Sequence, residues 1–249
     1  MSFKSWNSYS QFSLSVKSKS RYVLDQESQN FLQGIRDTCG SRVTEIAPGT
    51  ELWRAQMGHD TLPYIQHEIH VDDIYVPYSE SRMRPLPTSA SEGRANPKGI
   101  PCLYVASNKE TAMSEIRPWL GSHVSVAKFR NRSLLRLIDF SKYHDDTLPF
   151  HFGEPDDNKK IKSVWTHIDK AFSEPVTNSD QKSDYAPTQI IAELIKSLGY
   201  DGIAFKSSLN SGVNYALFDL DAVEFVACNL FKVSNLEFSF ENTDDERYK

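Results

Sequence analysis

Beyond residue 100 the chain sets helices among single strands and strand pairs, and that order narrows the fold before any side-chain chemistry is considered. The strand-like runs are IPCLYVA (100–106), HVSVAKF (123–129), LLRLIDF (134–140), GIAFKS (202–207), NYALFD (214–219) and VEFVAC (223–228). Among them lie a short helix predicted over 109–117, a helical SVWTHIDKAFSEP and the amphipathic PTQIIAELIKSLG (187–199). In the last of these, Ile190, Ile191, Leu194, Ile195 and Leu198 recur at helical spacing, Pro187 stands near the start and Gly199 at the end. A clean βαβ alternation would give a parallel sheet, and a run of strands alone a sandwich or barrel. The mixture predicts an α+β fold, a mixed β-sheet core with helices packed on it.

Upstream, LDQESQNFLQGIRDTCGS puts Phe31, Leu32 and Ile35 on one helical face, with Asp25 as N-cap and Gly40 as the stop. The Ser-rich lead before it carries no evident element. Pro48-Gly49 then turns the chain into a short strand around Leu52 and Trp53, and residues 57 to 100, rich in Pro, Ser, His and Arg, read as one long irregular segment. The predicted organisation is an N-terminal extension with one helix (1–45), a main domain (46–233) and a solvated tail (234–249) ending in ENTDDERYK.

Composition excludes several partners. The 249 residues are 39% apolar and 12% aromatic, enough for a substantial core. A net charge of −5 and a pI near 5.8 argue against bulk-charge binding to nucleic acid. Cys39, Cys102 and Cys228 are far apart and form no CxxC pair, which fits a reducing cytoplasm. The N-terminus lacks the order of a signal peptide and no run approaches ~18 apolar residues, so a soluble cytoplasmic protein with no membrane partner is expected.

Familiar catalytic motifs are missing. HEIH places His67 and His70 three apart without a third ligand at metal spacing, and His144, His151 and His167 add none, so they read as solvated histidines and no metal is expected. SEGRANPKG lacks the glycine spacing that cradles phosphates. Cys102 and Cys228 sit in apolar strands, where a buried thiol is the default, and Ser207-Ser208 does not form a nucleophile elbow.

What remains is a set of polar residues at the edges of apolar elements: Arg54, Arg94, Tyr104, Glu115, Ser207 and Asn214. Each has a structural reading. Arg54 can pair with a surface acid, Tyr104 can be a core aromatic, Glu115 can pair with Arg117 or Arg94, and Ser207 and Asn214 can serve the SSLNSG turn. Glu115 stands apart because TAMSEIRP sets it beside Ala112 and Ile116, at the inner edge of a helix stopped by Pro118.

Taken in order, LWRAQ, GRANPKGIPCLYVASNKETAMSEIRP and PTQIIAELIKSLGYDGIAFKSSLNSGVNYALFD resemble the RES domain family from about residue 45 to about residue 230. The combination is specific, though no single block suffices. The resemblance implies a bacterial protein with an ADP-ribosyltransferase-like fold that consumes NAD, breaking the nicotinamide–ribose bond and passing ADP-ribose to phosphate, water or a protein. It implies NAD as substrate, no separate cofactor, and an antitoxin protein as partner. The motif arginine is carried onto Arg54, the glutamate onto Glu115 and the serine onto Ser207, with Ser208 adjacent.

The residue types suit that chemistry. A carboxylate stabilises the ribosyl cation that forms as the glycosidic bond breaks, a role for Glu115. Arginine forks match diphosphate oxygens, a role for Arg54 and Arg94, while Tyr104, Ser207 and Asn214 can hold a nicotinamide ring and its amide. One departure stands out: where relatives carry an aromatic residue between the loop arginine and asparagine, this chain has Ala95, and Tyr64, Tyr75 and Tyr78 become candidate replacements. The alternative in a different class is a non-catalytic module that binds ADP-ribose or a protein on the same fold.

Overall fold

The computed structural model describes residues 3–144, 150–174, 182–237 and 239; the predicted tail ENTDDERYK lies outside them. In chain order the elements are α1 (Ser8–Ser18), α2 (Gln26–Thr38), β1 (Val43–Ile46), β2 (Glu51–Met57), β3 (Asp60–Gln66), β4 (Ile69–Val76), α3 (Glu80–Met83), β5 (Leu103–Ala106), α4 (Lys109–Glu115), β6 (His123–Asn131), β7 (Leu135–Asp139), α5 (Asp157–Ser173), α6 (Ala186–Ser197), β8 (Gly202–Lys206), β9 (Val213–Leu217) and β10 (Val223–Lys232). Eight strands form one sheet in the order β1-β7-β8-β9-β5-β2-β6-β10, and β3 with β4 forms a separate hairpin. Within the sheet β7 and β8 run parallel, the rest antiparallel. The parallel pair needs a long crossover, which α5 and α6 supply. The fold is α+β with a mixed sheet, as the order of elements predicted. Among the described residues no helix is long and apolar enough to cross a membrane.

Alternation along the strands splits the core in two. Ile138, Ile203, Phe205 and Ala216 face α1, α2, α5 and α6 and pack with Phe12, Phe31, Ile35, Trp165, Phe172, Ile191 and Ile195. Leu103, Val105, Leu135, Leu137 and Leu217 point to the other face, where Leu52, Phe129, Tyr78 and Met83 complete a second cluster. A third, smaller cluster of Ala55, Ala106, Ala112, Val124 and Val126 lies under α4.

The sheet is nearly cut in its middle. β2 meets β6 over seven residue pairs from Glu51 to Met57, and β5 meets β9 over four, but β2 and β5 share only the pair Trp53 and Ala106. Past that pair the two strands diverge, leaving strand-edge groups to be satisfied by other means.

Four local expectations change. The extension carries two helices rather than one: Phe12 and Val16, one turn apart, are buried, and Phe12 stacks on Phe31 with ring centroids 4.4 Å apart. Two buried apolar residues among serines make too thin a stripe to read from sequence. Gly40 does not stop α2 in a left-handed turn, because Cys39–Arg42 continue as a 3₁₀ turn. Residues 57 to 100 are partly regular, since β3 and β4 form a hairpin whose two-residue turn, His67 and Glu68, has φ of 51° and 65°. Both values are those of a type I′ turn. The hairpin eluded pattern reading because Leu62, Ile65, Ile69, Val71 and Ile74 are all exposed, so no one-face alternation marks it. Finally, α4 stops at Glu115, two residues earlier than predicted, and Arg117 then takes φ 46° ahead of Pro118.

Candidate active site

The gap between β2 and β5 opens into a cleft of about 500 Å³, lined among others by Trp53, Arg54, Arg94, Tyr104, Glu115, Arg117, Tyr185, Ser208 and Asn214. A larger groove of about 930 Å³ runs between α1 and α2, but its lining, which includes Phe12, Phe31 and Asp37, contains none of the candidate residues. A cavity of about 620 Å³ shares Arg54 and Tyr104 but not Glu115 or Asn214, so the seam cleft gathers most of the candidates.

Glu115 reaches it from the last residue of α4. The helix starts where Asn108 Oδ1 accepts from the Thr111 amide at 2.8 Å, and it buries Thr111 and Ala112 against the sheet. A carboxylate at a helix C-terminus opposes the macrodipole, which favours a cation there. Local preference is thus broken at Glu115, and specific partners offset the loss. Ser207 Oγ and Asn214 Nδ2 both donate to Glu115 Oε1 at 2.6 Å. Ser207 and Asn214 are buried, whereas Glu115 is exposed to the cleft. One oxygen is held from behind, and the carboxylate faces the open space.

The turn between β8 and β9 provides those partners. Ser207 Oγ also accepts from the Leu209 and Asn210 amides at 3.2 and 3.1 Å, which fixes its rotamer. Gly212 is needed here, because a Cβ at that position would collide with Thr111 Oγ1 at the start of α4. Ser208 is exposed on the rim and makes none of these bonds. Removing the cap at the far end of the same helix tests this arrangement. Asn108→Ala should lower stability by about 1 kcal/mol in denaturant unfolding, and an unchanged midpoint would refute the role given to the cap.

Arg54 occupies the gap itself. Its Nη1 donates to the Tyr104 carbonyl at 3.1 Å, satisfying a β5 acceptor that the diverging β2 no longer reaches. Its Nε is buried and has no hydrogen-bond partner, and no carboxylate pairs with the guanidinium among the described residues. The surface acid allowed by the sequence is not its partner. Burial lowers its pKa from the ordinary arginine value. A buried cation with an orphan donor on a cleft wall is poised for an anion.

Arg94 and Tyr104 are more committed than the sequence implies. Arg94 Nη1 and Nη2 donate to the carbonyls of Phe172 and Glu174, closing the C-terminal end of α5. Tyr104 donates its hydroxyl to Asn96 Oδ1 and accepts from the Ala95 amide, both at 2.8 Å, so it braces the 93–96 loop, and burial pushes its pKa up. Both side chains still contribute to the cleft wall.

The candidate aromatics fall elsewhere. Tyr64 is exposed on the hairpin, Tyr75 stacks on His59 at 4.0 Å, and Tyr78 is buried under the Arg82 guanidinium at 4.3 Å. The aromatic groups that do line the cleft are Trp53, Tyr104, Tyr185 and Phe205. Trp53 adjoins Arg54 in the LWRAQ block and could have been weighed. Tyr185 lies directly before α6, where no periodicity or motif marks it.

The remaining chemistry is quiet. Cys102 is buried with its thiol pushed up to about 12 by desolvation and directed at the Leu217 carbonyl, so it is inert. Among the described residues no three His, Cys, Asp or Glu side chains gather as a metal-ligand group.

Comparison with known proteins adds the following. No curated protein sequence matches the chain. A chain in the crystal structure of the M. tuberculosis MbcT-MbcA toxin-antitoxin complex is similar at 12% identity and a TM-score of 0.41, over 81% of this chain and 93% of that one. The RES domain profile matches residues 67–241, well over half of the sequence. Three separate blocks, read in order along the sequence, meet in space around one cleft, and the match spans two of them: the chain belongs to the RES domain family.

Proposed function

We propose that this protein is an NAD-consuming enzyme that breaks the nicotinamide–ribose bond and transfers ADP-ribose to phosphate, water or a protein, acting as a toxin held in check by an antitoxin protein. The observation that carries the reading is Glu115, a carboxylate fixed through one oxygen by Ser207 and Asn214 in a cleft whose other charged groups are Arg54, Arg94 and Arg117. Membership of the RES family supports it.

The reaction asks little covalent chemistry of the protein. The bond between ribose C1′ and the nicotinamide nitrogen breaks with its electron pair leaving on nicotinamide, which departs neutral. Positive charge spreads over C1′ and the ring oxygen, and a nucleophile then captures C1′. Glu115 stabilises that charge as it develops, where a preorganised carboxylate acts on the transition state more than on the ground state. Ser207 and Asn214 are positioning residues, holding the carboxylate so that no reorganisation is needed. Arg54 places its guanidinium on the cleft wall for the diphosphate, and Trp53 and Tyr185 offer flat faces to the bases.

Mass analysis of purified protein incubated with NAD, with and without phosphate, tests the proposal. Nicotinamide should be released without added metal, and ADP-ribose 1″-phosphate against free ADP-ribose tells phosphorolysis from hydrolysis. NAD left intact with phosphate, water and cell extract all supplied would overturn it in favour of a non-catalytic binding module.

A further inference from the structure

We propose that the cavity of about 620 Å³ sharing Arg54 and Tyr104 with the cleft is a second ligand site, a pocket for a phosphate group, inorganic or carried as a monoester. The proposal does not depend on the NAD reading. Its first support is charge. Arg54, Arg82 and Arg84 line the cavity, and among the described residues no Asp or Glu does. In a chain of net charge −5 that is a local excess of positive charge against the run of the composition. Arg84 is already spent: Glu80 pairs with its Nε at 2.9 Å from outside the lining, and Nη1 and Nη2 donate to the carbonyls of Leu220 and Val223. It forms a fixed wall.

Arg82 is the arginine that can reach a ligand. It is exposed, and among the described residues no carboxylate pairs with it. Its guanidinium lies over the Tyr78 ring at 4.3 Å, and Nη2 makes a long contact of 3.5 Å with the Tyr78 hydroxyl. A contact through the flat face leaves the N–H edge, the part that matches phosphate oxygens. The segment is anchored without that side chain, because Gln56 Nε2 donates to the Arg82 carbonyl at 3.0 Å and the Tyr78 amide to Ser125 Oγ at 3.0 Å. Hydroxyls supply the remaining donors. Ser79 and Ser81 share one hydrogen bond at 3.0 Å, and the Ser89 and Ser91 hydroxyls make none among the described residues; all four serines line the cavity. A planar carboxylate uses two acceptor oxygens, whereas donors set around a volume suit the three or four of a phosphate. Glu115 and Asn214 line only the cleft, so an anion held here is not beside the carboxylate and is not the nucleophile that captures C1′.

Calorimetric titration of the full chain with inorganic phosphate and with AMP, at fixed ionic strength, tests the site. Wild-type protein should bind at least one of them saturably. Arg82→Ala should weaken that binding about tenfold, the loss of one charge-assisted contact, and Arg82→Lys should weaken it less. Ser89→Asp, which puts a carboxylate into the lining, should abolish it. The melting temperature of Arg82→Ala should match the wild type, since Gln56 holds the Arg82 carbonyl and not its side chain. Binding of both probes lost in Arg82→Ala assigns the pocket to the phosphate group itself. Loss for inorganic phosphate alone assigns it to the free ion, and loss for AMP alone to a monoester. Absence of saturable binding in the wild type overturns the proposal, as does affinity for both probes unchanged in Arg82→Ala and Ser89→Asp, which would put the anion elsewhere.

Discussion

Glu115→Gln should cut nicotinamide release from NAD by about 10²–10³-fold, the range that loss of one preorganised electrostatic group produces. The substitution removes charge and little else. Glutamine has the same reach, and its carbonyl oxygen can still accept from Ser207 and Asn214 at the places where Glu115 Oε1 does. It also takes a negative charge away from a helix C-terminus, a small gain in stability. The variant should therefore melt no lower than the wild type while kcat collapses, with KM for NAD little altered. A residual rate within threefold of the wild type would remove Glu115 from the chemistry and leave the carboxylate as a structural group.

The second large effect is expected at Arg54. Arg54→Ala should raise KM for NAD by about 10–100-fold, corresponding to the ~1.5–3 kcal/mol of a hydrogen bond involving a charged group. It should also lower stability, since the Tyr104 carbonyl loses its donor at the point where β2 has left β5. Arg54→Lys separates the two effects. A lysine retains the charge but has no planar fork, so it can serve the carbonyl or the anion and not both. Steady-state kinetics beside denaturant unfolding decides the matter. KM unchanged in both variants would reduce Arg54 to a prop for the strand edge.

Much of this was legible in the sequence, and the failures have physical causes. The α+β class followed from the order of periodic segments, because strands buried on both faces and amphipathic helices leave distinct patterns. Arg54, Glu115 and Ser207 were legible as residue types in a recurring order. Their division of labour was not. That Ser207 and Asn214 hydrogen-bond to Glu115 depends on how a turn folds against a short helix, which a glycine at position 212 permits without announcing. The commitment of Arg94 to α5 joins residues some 80 positions apart. The left-handed backbone at Arg117 has no compositional sign, and proline after it suggested only a stop. Tyr185 stands outside every periodic segment, so only its place in the folded chain marks it.

The single rung between Trp53 and Ala106 has a mechanical consequence. Force passes through a β-sheet along its hydrogen-bonded ladders, and most neighbours in this one share three or more residue pairs. At the centre the load path narrows to one pair, and the Arg54 guanidinium adds a hydrogen bond to the Tyr104 carbonyl across the gap. The compliance of the sheet is concentrated there. If Arg54 grips the ligand as proposed, a ligand wedged between the two halves spends its distortion on that seam. Binding and stiffening of the sheet are then the same event.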